Sequence, residues 1–147
     1  MVRYQPPDWF TRQVFNPLVA GLTRLGLSVL GSRILAVRGR QSGLWRTTPV
    51  NLLVLDGRRY LVAPRGHTQW VRNLRAQGEG RLLLGRRSET FRATEIPDED
   101  KPPLLRAYLQ RWKWEVGAFF GGVGPQSSDD ELRRISPDHP VFRLTSA

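Results

Sequence analysis

Arg40, Arg46 and Arg65 sit in or beside turns that also hold Ser42, Gly43 and Gly66. Arginine presents a planar fork of donors that grips phosphate and carboxylate at two points. Glycine admits backbone conformations in which N–H groups converge on an anion, and the Ser42 hydroxyl adds a donor. Arg38 flanks the same turn. Two strand ends of this kind can meet and hold one phosphate from both sides; two solvated turns fit the spacing equally well. A second group is aromatic: Tyr108, Trp112, Trp114, Phe119 and Phe120. Tyr108 and Trp112 are four residues apart, hence on one helix face. Core packing is the default for such a group. The sharper alternative is a pocket wall for a flat apolar molecule, made movable by Gly117 and Gly121-Gly122. Trp70 and Leu74 share another helical face, with Asn73 beside them.

Much chemistry is excluded. The chain has no cysteine, which removes disulfides, zinc-thiolate sites and thiol nucleophiles and suits a reducing cytoplasm. His67 and His139 are isolated from metal-ligand spacing. Gly121-Gly122-Val123-Gly124 stands before Pro125, the wrong context for a nucleotide loop, and reads as a hinge. Ser42 lies in Gln-Ser-Gly, not in a nucleophile elbow. The 23 Lys and Arg against 13 Asp and Glu give a net charge of +10, nearly all of it arginine. Such charge suits nucleic acid, an anionic membrane or an anionic small ligand.

The elements that must position these residues follow from spacing. The 147 residues fit one domain: a helix within 1–26, barrel strands in 32–95, and helices with a last strand in 98–147. Asp8 caps an amphipathic helix from Trp9 to Leu25, stopped by Gly26; it packs on a core, lies on a membrane surface or gates a pocket. No secretory signal is visible in the polar start, and the stretch from Phe15 to Leu30 falls short of the roughly 20 apolar residues a membrane span needs. Strands are expected at Ser32–Val37, Thr47–Leu55, Arg59–Ala63, Arg81–Leu84, Ser88–Glu95 and Val141–Leu144. Asp56-Gly57 is the strongest hairpin signal. Helices are expected at Gln69–Ala76, from Lys101 and Pro102 to Glu115 with Asp98 as cap, and at Ser127–Arg134, with Glu131 at capping-box spacing from Ser128. Short strands joined by tight turns pair antiparallel, and closure removes their open edges. The expectation is an α+β fold: a small antiparallel split β-barrel with flanking helices.

Gly39-Arg40-Gln41-Ser42-Gly43-Leu44-Trp45-Arg46-Thr47-Thr48-Pro49 resembles the Gly-Arg-Lys/Gln-Ser-Gly-x-x-Arg-x-x-Pro signature of the deazaflavin-dependent nitroreductase family. Ala63-Pro64-Arg65-Gly66, followed by Trp70-Val71-Arg72-Asn73-Leu74-Arg75-Ala76, resembles its second block, in the same order and spacing. The likeness runs from about Asn16 to Arg92 and is closest to actinobacterial reductases that use coenzyme F420 on aflatoxins, coumarins and related enones.

The resemblance implies a barrel related to flavin-binding barrels and an anionic coenzyme with a deazaflavin ring, a phosphate and an oligoglutamate tail. Arg40, Gln41, Ser42, Gly43 and Arg46 match the phosphate turn. Thr48, Pro49 and Val50 match the edge beside the ring. Ala63, Pro64, Arg65 and Gly66 match the second strand end, and Gln69, Trp70, Asn73 and Leu74 the following helix. Two positions depart: Gln41 replaces a common Lys, and Pro64 a common Ser. Trp112, Trp114, Phe119 and Phe120 stand where nitroimidazole-activating members are tyrosine-rich, and would form the substrate pocket. Hydride transfer to an enone develops negative charge on oxygen, and Tyr108 is the side-chain donor nominated to meet it. The alternatives are an FMN-binding barrel and a basic nucleic-acid or membrane-surface module. The aromatics cluster at the helical end instead of interleaving with arginines on one sheet face, so no nucleic acid is expected. The implied partner is a flat apolar small molecule. The chain would act as a monomer or homodimer in the cytoplasm, with peripheral membrane contact through the first helix.

Overall fold

Asp56 and Gly57 take φ values of 52° and 75°, the left-handed pair a tight type I′ turn demands. They join β2 (Trp45–Leu55) to β3 (Arg58–Val62). A computed structural model describes residues 31–147; the expected helix at Trp9–Leu25, with its proposed membrane contact, lies outside the described residues. Before this hairpin comes β1 (Ser32–Arg38) and after it α1 (Gln69–Gln77), β4 (Glu79–Leu84) and β5 (Arg87–Glu95). Then follow α2 (Pro102–Val116), α3 (Asp129–Ile135) and β6 (Val141–Ser146). The six strands close into a barrel in the order β1-β2-β3-β6-β5-β4, every neighbouring pair antiparallel. This is the expected α+β barrel with flanking helices.

Side-chain alternation sorts the strand residues into two large cores and a smaller cluster of Ile34, Ala36, Trp45 and Leu83. Leu35, Leu52, Leu61, Phe91, Phe142 and Leu144 fill the barrel with Val71 and Leu74 of α1. The next residues along β2 and β3, Leu53 and Tyr60, point outward and pack under Leu105, Tyr108, Leu109 and Trp112 of α2. Gly80 pairs with Phe91, and a Cβ on Gly80 would lie 2.9 Å from the Phe91 ring and 3.0 Å from the Ala36 carbonyl oxygen. The missing side chain is what lets the ring fill the barrel centre.

Two helix starts instruct. The Ser128 hydroxyl accepts from the Glu131 N–H at 3.2 Å, so the expected capping spacing is real, though the helix begins at Asp129, not Ser127. Asp98 does not cap α2. It starts a separate 3-10 turn, Asp98–Asp100, and pairs with Lys101 at 2.7 Å. Pro102 and Pro103 supply no N–H, so the start of α2 has few donors for a cap to satisfy. Lys101 is itself buried and donates to the Ser136 carbonyl at 2.8 Å.

His139 is buried against Phe120, ring on ring at 4.1 Å, with Nδ1 3.2 Å from the Ala63 carbonyl oxygen. Burial holds its pKa below the ordinary value, outweighing the Ala63 carbonyl and Asp138, which favour the cation. The unfolded chain therefore takes up this proton first as pH falls. Stability is full above the free histidine value of about 6.5 and declines as pH falls below it toward the lowered folded value. Denaturant midpoints across pH 5–7 should show the decline in the native chain and a flatter profile in His139→Gln. An unchanged slope in that variant refutes it. Gly80→Ala should cost about 1–3 kcal/mol in denaturant unfolding, because the ring or the strand must move; a neutral effect removes the steric account.

Candidate active site

A cleft of about 1060 Å³ opens between the first half of β2, the start of α1 and the last turn of α2. The two turns that spacing left ambiguous both border it: Arg40, Gln41, Ser42 and Arg46 from one side, Pro64 and Arg65 from the other. Thr48, Pro49, Val50, Gln69, Trp70, Asn73, Tyr108 and Trp114 also line it.

Arg40 is positioned by helix α1. Its backbone N–H donates to Asn73 Oδ1 at 3.0 Å, and its Nη1 donates to the same oxygen at 2.8 Å and to Gln69 Oε1 at 2.9 Å. Gln69 and Asn73 are one helical turn apart, so both face the guanidinium. Both are neutral, so the cation keeps its charge, with Nε and Nη2 left to meet an anion. Arg65 lies 4.9 Å from the centroid of the Phe119 ring, also a neutral partner. Among the described residues no carboxylate pairs with Arg40, Arg46 or Arg65. The basic turn itself is closed internally. Gly43 N–H donates to the Gly39 carbonyl at 3.0 Å, and Ser42 Oγ accepts from Leu44 N–H at 3.1 Å.

Several expected site residues lie elsewhere. Gly43, whose N–H is spent on its own turn, does not line the cleft, nor do Ala63, Gly66 and Leu74. Ala63 and Leu74 belong to the barrel core. Gly66, at φ 87°, closes the turn behind Arg65 by donating to the Ala63 carbonyl at 3.2 Å. Trp112 and Phe120 are corrected from pocket wall to core: their rings pack on Tyr108 at 5.0 and 6.2 Å under α2. Phe119 is exposed and meets the cleft only through Arg65. Trp114, 69% exposed, is the one aromatic of that group other than Tyr108 on the wall. Arg38 leaves the turn for the other side of the sheet, 5.1 Å from the centroid of Trp45.

The cleft also holds residues that spacing did not single out. Thr47 and Thr68 line it with buried hydroxyls that have no hydrogen-bond partner in the structure. Thr68 stands at the N-cap of α1 without capping it. Leu35, Val37 and Val62 give an apolar floor, and Asn51, Glu115 and Val116 complete the end near Tyr108. Burial pushes the Tyr108 hydroxyl pKa well up, and Glu115 adds to the rise, while a hydrogen bond from Asn51 opposes it. A bond that favours the phenolate is one donated to the phenol oxygen. Tyr108 lines the cleft, where its neutral O–H can donate to a ligand.

Residues 15–115 match the profile of the F420H(2)-dependent quinone reductase family. The chain belongs to that family. This reductase is an F420-dependent oxidoreductase, and its cofactor is F420. No curated protein matches it. Solved structures share the fold at low identity. A domain-swapped dimer matches at TM-score 0.58 and 16% identity over 96% of this chain and 100% of its own. An F420-H2 dependent reductase, FDR-A, matches at TM-score 0.54 and 16% identity over 78% and 94%. A protein of unknown function from Agrobacterium tumefaciens str. C58 matches at TM-score 0.58 and 20% identity over 91% and 58%.

The residues present fit the coenzyme. Three arginines without carboxylate partners suit its phosphate and carboxylates. The orphaned Thr47 and Thr68 hydroxyls suit the polar edge of a flat ring over an apolar floor. Removing Asn73 frees Arg40 to wander, so Asn73→Ala should weaken F420 binding about tenfold. Arg40→Ala should weaken it comparably, and the double variant little further, in fluorescence titrations. Fully additive losses would mean that Asn73 acts without Arg40.

Proposed function

We propose that the reductase transfers a hydride from reduced F420 to the activated C=C bond of an enone or unsaturated lactone, in flat apolar molecules of the aflatoxin and coumarin type. The observation that carries this reading is Tyr108 on the cleft wall, together with Val116 and Trp114. Reduced F420, when bound, would supply the hydride. The protein's own part is binding, orientation and charge. Arg40, Arg46 and Arg65 hold the anionic groups of the coenzyme at one end. Val50, Val62 and Trp70 offer apolar surface that excludes water from the ring. Tyr108 is fixed by Trp112 and Phe120 and kept neutral by burial. It donates to the carbonyl oxygen as negative charge develops there. With the hydride on the β-carbon and Tyr108 keeping its proton, solvent would supply the proton that the α-carbon of the enolate takes up.

Quinone reduction is the second reading, favoured by the family match. It uses the same donor on a quinone oxygen. A homodimer is the assembly we favour, on the likeness to the domain-swapped dimer.

Anaerobic oxidation of reduced F420, followed by absorbance with a coumarin-type lactone and with a naphthoquinone, tests the proposal. Turnover of the lactone is expected. Oxidation by the quinone alone replaces the first reading with the second. Tyr108→Phe should lower kcat for the lactone about a hundredfold with little change in KM; full turnover removes Tyr108 from its role.

A further inference from the structure

Among the described residues lining the cleft, Glu115 is the only carboxylate, against Arg40, Arg46 and Arg65. It has no cationic partner among the described residues. Asn51 Nδ2 donates to Glu115 Oε2 at 3.5 Å. Asn51, Glu115 and Tyr108 line the same end of the cleft, so this carboxylate sits at the proposed acceptor end. Asn51 and Arg46 lie on the same strand, five residues apart, a span of about 17 Å. The cleft is thus polarised along β2, with cations where β2 begins and an anion near Tyr108.

A solvated glutamate at a helix end is ordinary. This one differs in its setting. Though exposed, it stands on the wall of the same cleft as Arg40, Arg46 and Arg65, at the end near Tyr108, where its charge acts on whatever enters that end. We propose that Glu115 is a specificity-determining residue that rejects anionic acceptors and favours uncharged ones, with Asn51 positioning its carboxylate. The proposal rests on the reading of the Tyr108 end as the acceptor end. Coenzyme and acceptor enter one cleft, and both present flat conjugated rings. Three arginines alone would admit an anionic acceptor to the coenzyme's place and let it compete. A carboxylate at the far end sets the opposite preference there, so the two ligands are sorted by charge.

The test compares a naphthoquinone with its ring-sulfonated analogue as acceptors for reduced F420, in the wild type, Glu115→Gln and Glu115→Asp. The readout is the ratio of kcat/KM for the sulfonate to that for the neutral quinone. A ratio is insensitive to the fraction of folded enzyme. Glu115→Gln should raise this ratio about five- to tenfold at low salt, and Glu115→Asp should stay near the wild type. The gap should shrink in 1 M salt, where charges are screened within about 3 Å. A ratio unchanged in Glu115→Gln overturns the proposal. So does an equal change in both variants, which would show that shape and not charge decides. An altered F420 dissociation constant in Glu115→Gln also overturns it, since the carboxylate would then act on the coenzyme. Failure of the enone reading looks different: the wild type leaves the lactone untouched while the quinone pair still reports the ratio.

Discussion

One amide oxygen organises the site. Asn73 Oδ1 receives both the backbone N–H and the guanidinium of Arg40, at 3.0 and 2.8 Å. This links the turn between β1 and β2 to helix α1, which follows the strand end carrying Arg65. Two sequence blocks 33 residues apart become one basic surface on the cleft through that contact. Asn73 is buried, so the bonds form away from competing water and hold their geometry. The partner is neutral. An aspartate there would hold Arg40 as firmly but cancel the charge the site exists to present.

The barrel explains why such a contact stays in place. Helix α1 sends Val71 and Leu74 into the barrel core on one face and Gln69 and Asn73 toward Arg40 on another. Helix α2 packs on the outside of β2 and β3 and carries Tyr108 and Glu115 to the far end of the cleft. Strand β2 borders both ends. Its eleven residues are long enough to carry Arg46 and Asn51 with room for a flat ring between them. Near Trp112 the helix departs from regular geometry, with φ −126° and ψ 15°. There the helix passes from core packing to cleft wall.

Local rules written in the residues were legible. Asp56-Gly57 specified its turn because few other pairs tolerate that backbone. Ser128 and Glu131 specified a helix start. The barrel itself followed from short strands and tight turns. The site was legible in part. Arg40, Arg46 and Arg65 were visible as candidates, but spacing carried no information on whether two turns meet; the Asn73 contact spans the fold. Tyr108, Trp112 and Phe120 share aromatic character, and neither composition nor helical period tells which of them reaches a cavity. Burial of Trp112 and Phe120 is decided by α3, β6 and His139, far along the chain. Thr47, Thr68, Asn51 and Glu115 carried no distinguishing pattern at all. Their meaning appears only once α2 crosses the end of β2.

The unneutralised arginines have a consequence for the reductase's life as a folded chain. Like charges gathered on one cleft repel, and the repulsion is relieved when an anion settles among them. Coenzyme held by Arg40, Arg46 and Arg65, as proposed, would therefore favour the folded state over the unfolded one. At a free concentration a hundred times the dissociation constant, the gain is about 2.7 kcal/mol. The abundance of the reductase would thereby be coupled to the supply of the molecule it works with.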